Sequence, residues 1–204
     1  MSNIENTIKT KIKKLGPMTV KDFFNYTLYD KKYGYYSKKN ILGKNGDFIT
    51  APETSQLFGE TIAVWLVLTL SKYYKNEEFH LCELGPGKGT LMSDLLRTVN
   101  KIDSKIYKKI KNIFFLESTV FFSNNLKSKF TKAQVESDIG KLPRESNIII
   151  ANEFFDAIPV NQYVYKKNNW YEKLVSLDKN NNFQFIISKK NKTSNTFFPK
   201  NPKE

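Results

Sequence analysis

The segment from Leu81 to Leu96, LCELGPGKGTLMSDLL, constrains the fold of this chain more than any other. In it, an apolar run ends in a carboxylate, turns through three glycines and continues as an amphipathic helix. A strand, a glycine-rich turn and a helix N-terminus in this order bring backbone N–H groups against a bound nucleotide-like ligand. We therefore expect a cofactor pocket at this turn.

The spacing within the turn distinguishes three kinds of nucleotide site. A phosphate-binding P-loop needs Lys followed by Ser or Thr, but Lys88 is followed by glycine. A G-x-G-x-x-G dinucleotide site would need glycine where Thr90 stands, so NAD is the weaker alternative. An acidic residue followed by G-x-G-x-G is the pattern of class I methyltransferases that use S-adenosylmethionine (SAM). It makes Glu83 the predicted partner of the ligand's cationic amino-acid portion, and the predicted backbone contacts are Gly85, Gly87 and Gly89.

Two further carboxylates follow later predicted strands. A ribose-binding carboxylate should stand at the end of the next strand, and Glu117 directly follows Phe114-Phe115-Leu116. We expect Glu117 to accept hydrogen bonds from both ribose hydroxyls, and the alternative is a solvated glutamate at a strand end. Asp138, just past the predicted third strand, is the candidate for the adenine amino group.

A third cluster, ANEFFDAIP, covers residues 151–159 after the fourth predicted strand. Ligands of open α/β sheets bind at the carboxyl ends of the strands, so polar groups here would face the transferring methyl. Asn152, Glu153 and Asp156 are therefore the predicted catalytic residues. The alternative is that Asn152 caps a helix and Asp156 sets a turn.

The order of the predicted elements indicates an α/β fold. Four apolar runs alternate with helical segments, which predicts a parallel sheet with helices on both faces; the runs are 79–83, 113–116, 134–136 and 148–151. An apolar helix that ends near Tyr74 is predicted to be buried, and a capped helix is predicted from Val20 to Tyr29. Residues 162–187 alternate with period two, which predicts an antiparallel β-meander. We expect an N-terminal helical and cofactor-covering extension (1–60), a Rossmann-like core with the meander (61–188) and a disordered tail (189–204).

Composition limits the other classes of function. The net charge of +13 would suit a polyanion, but the lysines are accompanied by many asparagines, as in a compositional bias, so nucleic-acid binding remains the weaker alternative.

The single cysteine, Cys82, excludes an intramolecular disulfide and a multi-cysteine metal site. The single histidine, His80, has no nearby partner ligand, so no metal is predicted. Residues 62–70 are too short for the roughly 20 residues of a membrane span. We expect a soluble protein of the bacterial cytoplasm, or of the mitochondrial matrix if it is eukaryotic.

Three blocks, in order, resemble the MidA-like family of SAM-dependent methyltransferases: GDFITAPETSQLFGE (46–60), ELGPGKGTLMSDLLR (83–97) and ANEFFDAIPVNQYV (151–164). YGYY at 33–36 also fits, and the similarity runs from about Gly16 to Leu177. The mitochondrial member of that family is a protein arginine methyltransferase that assists assembly of respiratory complex I. The resemblance implies a class I methyltransferase fold, SAM as methyl donor, and an arginine of NADH:ubiquinone oxidoreductase as substrate. It also implies that the segment with Gly46 and Asp47 closes over the cofactor.

Family members are longer and carry further sheet strands, which are not recognisable after Leu177. The chain is therefore interpreted as an N-terminal portion whose sheet is incomplete at its C-terminal side. The alternative to an arginine methyltransferase is a catalytically incomplete fragment or assembly-binding module that retains the SAM-binding half. A third interpretation, amide or base-amino methylation, rests on Asn152 to Phe155, where Glu153 stands in place of the expected proline. The expected partners are a protein substrate and either a separately encoded C-terminal half or a second copy.

Overall fold

The structure is a computed structural model, and it describes residues 3–37, 49–73, 77–145, 147–189 and 198–199. The predicted residues Gly46 and Asp47, and most of the predicted tail, lie outside these ranges. The helices are α1 (Asn3–Leu15), α2 (Val20–Tyr29), α3 (Ala51–Thr54), α4 (Gln56–Tyr73), α5 (Thr90–Ile102), α6 (Ser104–Lys108) and α7 (Val120–Lys129). The strands are β1 (Met18–Thr19), β2 (Phe79–Leu84), β3 (Ile110–Leu116), β4 (Gln134–Glu136), β5 (Asn147–Ala151), β6 (Tyr163–Lys166), β7 (Asn169–Leu177) and β8 (Phe183–Ile187).

The chain divides into two compact units. The terminal unit comprises Met1–Lys38 and Ala157–Glu204, and the central unit comprises Lys39–Asp156. This grouping differs from the expected division at residues 60 and 188, because β1 pairs with β7 and so joins the N-terminal segment to the meander. The short helix α3 belongs to the central unit.

The terminal unit is built around β7, which pairs antiparallel with β1, β6 and β8. The predicted meander is confirmed, and so is α2, whose first turn is capped by the Thr19 hydroxyl accepting from the Asp22 backbone N–H at 3.0 Å. Helix α1 was not predicted, although its apolar residues Ile4, Ile8, Ile12 and Leu15 recur at the helical spacing of three to four residues. Two of these, Ile8 and Ile12, are buried against Val20 and Val175, so packing against the sheet, rather than composition, stabilises the helix.

The central unit contains the predicted parallel sheet, with the strand order β4-β3-β2-β5. In chain order β2 is the first strand of this sheet, and it lies between β3 and β5, the second and the fourth strands. The chain winds toward one edge through β3 and β4 and then returns to the other side of β2 with β5. This reversal leaves a crevice at the carboxyl ends of β2 and β5, which is the place where doubly wound sheets bind ligands.

The two faces of this sheet are covered differently, which corrects the expectation of helices on both. On one face, α4 and α5 bury Leu66 and Leu95 against Leu81 and Phe115. On the other face, the buried cluster consists of strand residues and Leu142, and Phe154 packs against it. No residue of a described α-helix belongs to this cluster. The connection from β4 to β5 forms only a 3₁₀ turn, Ile139–Lys141, and the β5 side chain Ile149 is 54% exposed on this face.

Helix α4 also differs from the prediction of a fully buried helix. Its side chains Ala63, Leu66 and Leu70 are buried against the sheet and α5, but Trp65 and Leu68 are 60% and 66% exposed. The sequence is apolar all round, yet the fold covers one side only. No helix in the described ranges combines the length and apolar character needed to cross a membrane.

Candidate active site at the glycine-rich turn

The turn between β2 and α5 needs glycine for two separate reasons. Gly85, Gly87 and Gly89 have φ values of 66°, 54° and 67°, the left-handed region that other residues rarely adopt. A Cβ at Gly89 would lie 2.7 Å from Phe130 Cε2 and 2.8 Å from Leu126 Cδ2. Glycine therefore lets the C-terminal end of α7 and Phe130 pack close to the start of α5.

Phe154 packs directly over the first glycine of the turn. A Cβ at Gly85 would lie 2.7 Å from Phe154 Cδ2, and the Gly85 N–H donates to the Leu116 carbonyl at 3.0 Å. Phe154 belongs to the cluster after β5, but no role was predicted for it. Its position just after a strand of the crevice could have indicated a contact with the turn, where its ring lies.

Glu83, at the end of β2, is a buried acceptor without a full set of partners. Its side chain is 3% exposed, and its Oε2 atom has no hydrogen-bond partner in the described part of the chain. Burial raises the pKa of Glu83 to about 8, and the nearby charge of Lys129 and the Met92 backbone N–H offset this only in part. A buried carboxylate that lacks a partner is costly, so this oxygen is suited to a bound cation. The residue thus fits the ammonium group of an amino-acid-bearing ligand.

Glu117, directly after β3, is partly buried beside the glycine-rich turn. The backbone N–H and the hydroxyl of Thr119 both donate to its Oε1 atom at 2.7 Å. Burial raises the pKa of Glu117, while the hydrogen bonds from Thr119 and from the backbone N–H groups of Ser118 and Gly87 lower it. The contact with Gly87 places the second predicted carboxylate beside the turn, where it can reach a ligand that lies along this edge.

A cavity of about 50 Å³ lies at the crevice between β2 and β5; Glu83, Gly85 and Gly87 line it, whereas Glu117 does not. Its volume admits a small polar group rather than a whole nucleoside, so the larger part of a nucleoside ligand would lie along the rim. Among the lining residues are Glu53, Glu83, Gly85, Gly87, Lys88, Thr90 and Asn152.

Glu53 is a site residue that sequence reasoning missed. It accepts from the Lys88 ammonium at 3.3 Å and from the Thr90 hydroxyl, so α3 is joined both to the turn and to the first residue of α5. Its neighbours along the chain gave no signal of this role, because these contacts span 35 and 37 residues.

The predicted catalytic residues are not all at the cavity. Asn152 lines it, whereas Glu153 and Asp156 are exposed and do not. Glu153 has φ 51°, and Asp156 lies in the 3₁₀ turn Phe155–Ala157. Asp138, the residue predicted to contact adenine, is exposed and its carboxylate accepts from the Gly140 N–H at 2.9 Å.

The single cysteine and histidine serve the fold. Cys82 is buried, and desolvation raises the pKa of its thiol to about 11, which is typical of an inert thiol. His80 Nδ1 lies 3.2 Å from the Asn112 amide nitrogen. Among the described residues, no group of three or more His, Cys, Asp and Glu side chains is placed to hold a metal ion.

Known proteins match this chain in sequence and in fold. The protein arginine methyltransferase NDUFAF7 (mitochondrial) of Bos taurus is 35% identical over 192 residues, which are 82% of this chain and 44% of that protein. The Danio rerio protein of the same name is 31% identical over 206 residues, covering 89% of this chain and 49% of that one. The chain thus spans about half the length of the curated relatives it matches.

A crystal structure of a COG1565 superfamily member from Burkholderia thailandensis, bound to S-adenosyl-homocysteine, superposes with a TM-score of 0.69. It is 24% identical, and the match covers 91% of this chain and 49% of that one. The sequence profile of the family described as "Putative S-adenosyl-L-methionine-dependent methyltransferase" matches residues 61–204. The chain therefore belongs to this family of SAM-dependent methyltransferases, as its motifs predicted.

Proposed function

We propose that this chain binds SAM at the glycine-rich turn and contributes that site to the methylation of a protein arginine. The observation that carries the proposal is the buried Glu83 carboxylate at the crevice between β2 and β5, whose Oε2 atom has no partner among the residues that the structure describes. The relatives from Bos taurus and Danio rerio, which are named protein arginine methyltransferases, support the choice of acceptor.

The cofactor-binding roles follow from the positions of the two carboxylates. Glu83 would neutralise the ammonium group of the amino-acid portion, and Glu117 would accept from the ribose hydroxyls while the backbone at Gly85 and Gly87 approaches without Cβ interference. Asp138 and the segment with Gly46 and Asp47 are proposed as outer contacts to the adenine and the cofactor. When bound, SAM supplies a methyl group made electrophilic by the adjacent sulfonium.

The acceptor roles are assigned to the segment after β5. The guanidinium of arginine is protonated at neutral pH and presents a planar fork of donors. Asn152 at the cavity, with Glu153 and Asp156 on the exposed turn beyond it, would accept from this fork and hold it. Because both carboxylates are exposed, they are accessible to an arginine presented by another protein, and orientation would contribute most of the catalysis. A subunit of NADH:ubiquinone oxidoreductase is the proposed substrate, in keeping with the resemblance of the sequence blocks.

A second candidate function is binding without turnover, as a module that retains the SAM site. Two of the three predicted catalytic side chains, Glu153 and Asp156, do not line the cavity, and this observation favours it. In that case the chain would bind SAM with normal affinity and transfer no methyl group unless a further polypeptide completes the site.

Both candidate functions require SAM binding, which calorimetric titration measures. Glu117→Gln removes one charged acceptor and should weaken binding by about 10- to 100-fold, since hydrogen bonds to charged groups contribute about 1.5–3 kcal/mol. Glu5→Gln is the matched control, because Glu5 pairs with Lys9 at 2.7 Å and belongs to the terminal unit rather than to the unit with the proposed site. Equal affinities of the two variants, or no binding of SAM by the native chain, would contradict the proposed site.

Methyl transfer is measured separately, with methyl-labelled SAM and purified NADH:ubiquinone oxidoreductase. Arginine methylation located by mass spectrometry supports the enzyme, and Asp156→Asn should then raise the KM for the protein while the Kd for SAM stays unchanged. SAM binding without any labelled arginine favours the binding module instead.

A further inference from the structure

The positive charge of this chain is concentrated in one of its two units. The terminal unit contains 17 Lys and 6 acidic residues, a net charge of +11, whereas the central unit contains 16 basic and 14 acidic residues, a net charge of +2. The two values add up to the +13 of the whole chain. The charge therefore belongs to the part of the molecule that does not contain the SAM site.

A compositional bias toward lysine alone does not explain this division. The terminal unit has 17 basic and 6 acidic residues among 86, and the central unit has 16 basic and 14 acidic residues among 118. The terminal unit is therefore richer in lysine and also poorer in carboxylates, whereas a bias toward lysine alone would leave the acidic fraction unchanged. The terminal unit thus lacks the carboxylates that would balance its lysines, as expected of a surface that meets a negatively charged partner.

Helix α1 presents part of this charge beside a surface groove. Its apolar side chains Ile8 and Ile12 are 1% and 6% exposed and face the core of the terminal unit. Lys11 and Lys14, on another side of the helix, line a groove of about 520 Å³. Within the described ranges of the terminal unit, Lys9 forms an ion pair with Glu5 at 2.7 Å, but no such ion pair is found for Lys11, Lys13 or Lys14.

We infer that the terminal unit, through the lysine face of α1, binds an acidic surface of the partner protein. This inference rests on the proposed function for the choice of a protein partner. All 17 basic residues of the unit are lysines, which are hydrated point charges suited to exchangeable contacts with carboxylates. The sequence of this unit contains no arginine, the residue whose guanidinium forms bidentate hydrogen bonds with guanine and with phosphate.

The inference also limits the kind of substrate. An arginine-bearing segment surrounded by other basic residues would be repelled by a unit with a charge of +11. A protein whose arginine is accompanied by acidic patches would be attracted and steered toward the enzyme. The charge therefore selects against basic tails and favours acidic proteins as substrates.

Fluorescence anisotropy of the full chain with a labelled poly-glutamate peptide of about 20 residues tests the inference at low salt, where surface charges are least screened. The variant Lys11→Gln/Lys13→Gln/Lys14→Gln should weaken binding about fivefold or more, since three surface ion pairs are lost. The matched control is Lys105→Gln/Lys108→Gln/Lys111→Gln, which removes the same charge from exposed positions of the central unit. It should weaken binding less than about twofold, because these lysines lie in the balanced unit.

Equal losses in the two variants would overturn the inference, because net charge alone would then explain binding. Tighter binding of an oligouridylate of equal length would also overturn it, in favour of a nucleic-acid partner. SAM titration of the same samples separates the two proposals: retained SAM binding without poly-glutamate binding refutes the docking surface alone. Circular dichroism of both variants confirms that the helix content is unchanged.

Discussion

If the proposed site is correct, the buried carboxyl group of Glu83, whose Oε2 atom has no partner among the described residues, should make SAM binding depend on pH. With a pKa of about 8, Glu83 is mostly protonated in the ligand-free protein at pH 7, although a free glutamate would be ionised. A cationic ligand favours the ionised form, so binding must release the proton. The perturbation that tests this is Glu83→Gln, which keeps the shape of the side chain and removes the titration.

The size of the effect follows from the pKa. At pH 7 about nine-tenths of the Glu83 side chains carry a proton, so binding should release about 0.9 proton, and the affinity should rise about tenfold from pH 6 to pH 7. An α-amino group with a pKa near 7.7–8.0 remains mostly charged over this range, so the slope of affinity against pH reports the protonation of the protein.

The stability of the ligand-free chain should depend on pH in the opposite direction. The folded chain holds a proton that the unfolded chain loses near pH 4.5, so stability should fall as the pH rises from about 4.5 through about 8, by at most about 4–5 kcal/mol.

Calorimetric titrations with SAM at pH 6, 6.5 and 7, in two buffers with different ionisation enthalpies, measure both the slope and the number of protons released. The native chain should show the tenfold rise, whereas Glu83→Gln should bind more weakly at pH 7 and show little change with pH. Glu5→Gln, at a partly exposed ion pair of the terminal unit, is the control and should behave as the native chain does. A flat affinity with no proton release in the native chain would refute the assignment of Glu83 to the cation.

Three further predictions concern packing and conformation. Gly85→Ala should lose SAM affinity and at least about 1 kcal/mol of unfolding free energy, because its Cβ would lie 2.7 Å from Phe154. The control is Gly16→Ala, because Gly16 also has a positive φ, 88°, but a Cβ there would meet no atom within 4 Å. Equal losses of the two variants in denaturant titration would argue against a steric cause. Phe115→Ala should cost about 3–5 kcal/mol in urea unfolding, since the side chain is fully buried, and a loss below about 1 kcal/mol would contradict its central place in the core. The Cys82 thiol should react with a disulfide reagent far more slowly in the folded chain than in denaturant, and equal rates would show that the strand is open.

The central sheet and the positions of Glu83 and Glu117 at its carboxyl edge could be predicted because their signals are local. An apolar run that ends in Glu83 or Glu117 predicts a strand, and the repeat of that pattern after one helix places both carboxylates at the same edge. The glycines of the turn carry a backbone requirement that is visible in the sequence itself. These features need no knowledge of which residues pack together.

The missed features depend on contacts between distant segments. Glu53 holds the turn through Lys88 and Thr90, and nothing in its own neighbourhood indicates that pairing. The exposed side of α4 could not be predicted from a helix that is apolar all round, because the pattern does not say which sides the fold covers. Helix α1 is stabilised by Ile8 and Ile12 in the core of the terminal unit, a contact that its lysine-rich composition conceals.

The positions of the two tryptophans give each unit its own optical probe. Trp65 lies on the exposed side of α4 in the central unit, 60% accessible to water. Trp170 lies in the terminal unit, stacked on Phe198 with a centroid distance of 4.8 Å. Replacing either tryptophan with phenylalanine leaves a single tryptophan among the 11 tyrosines. With excitation at a wavelength that tyrosine does not absorb, the unfolding of each unit can then be followed separately by fluorescence.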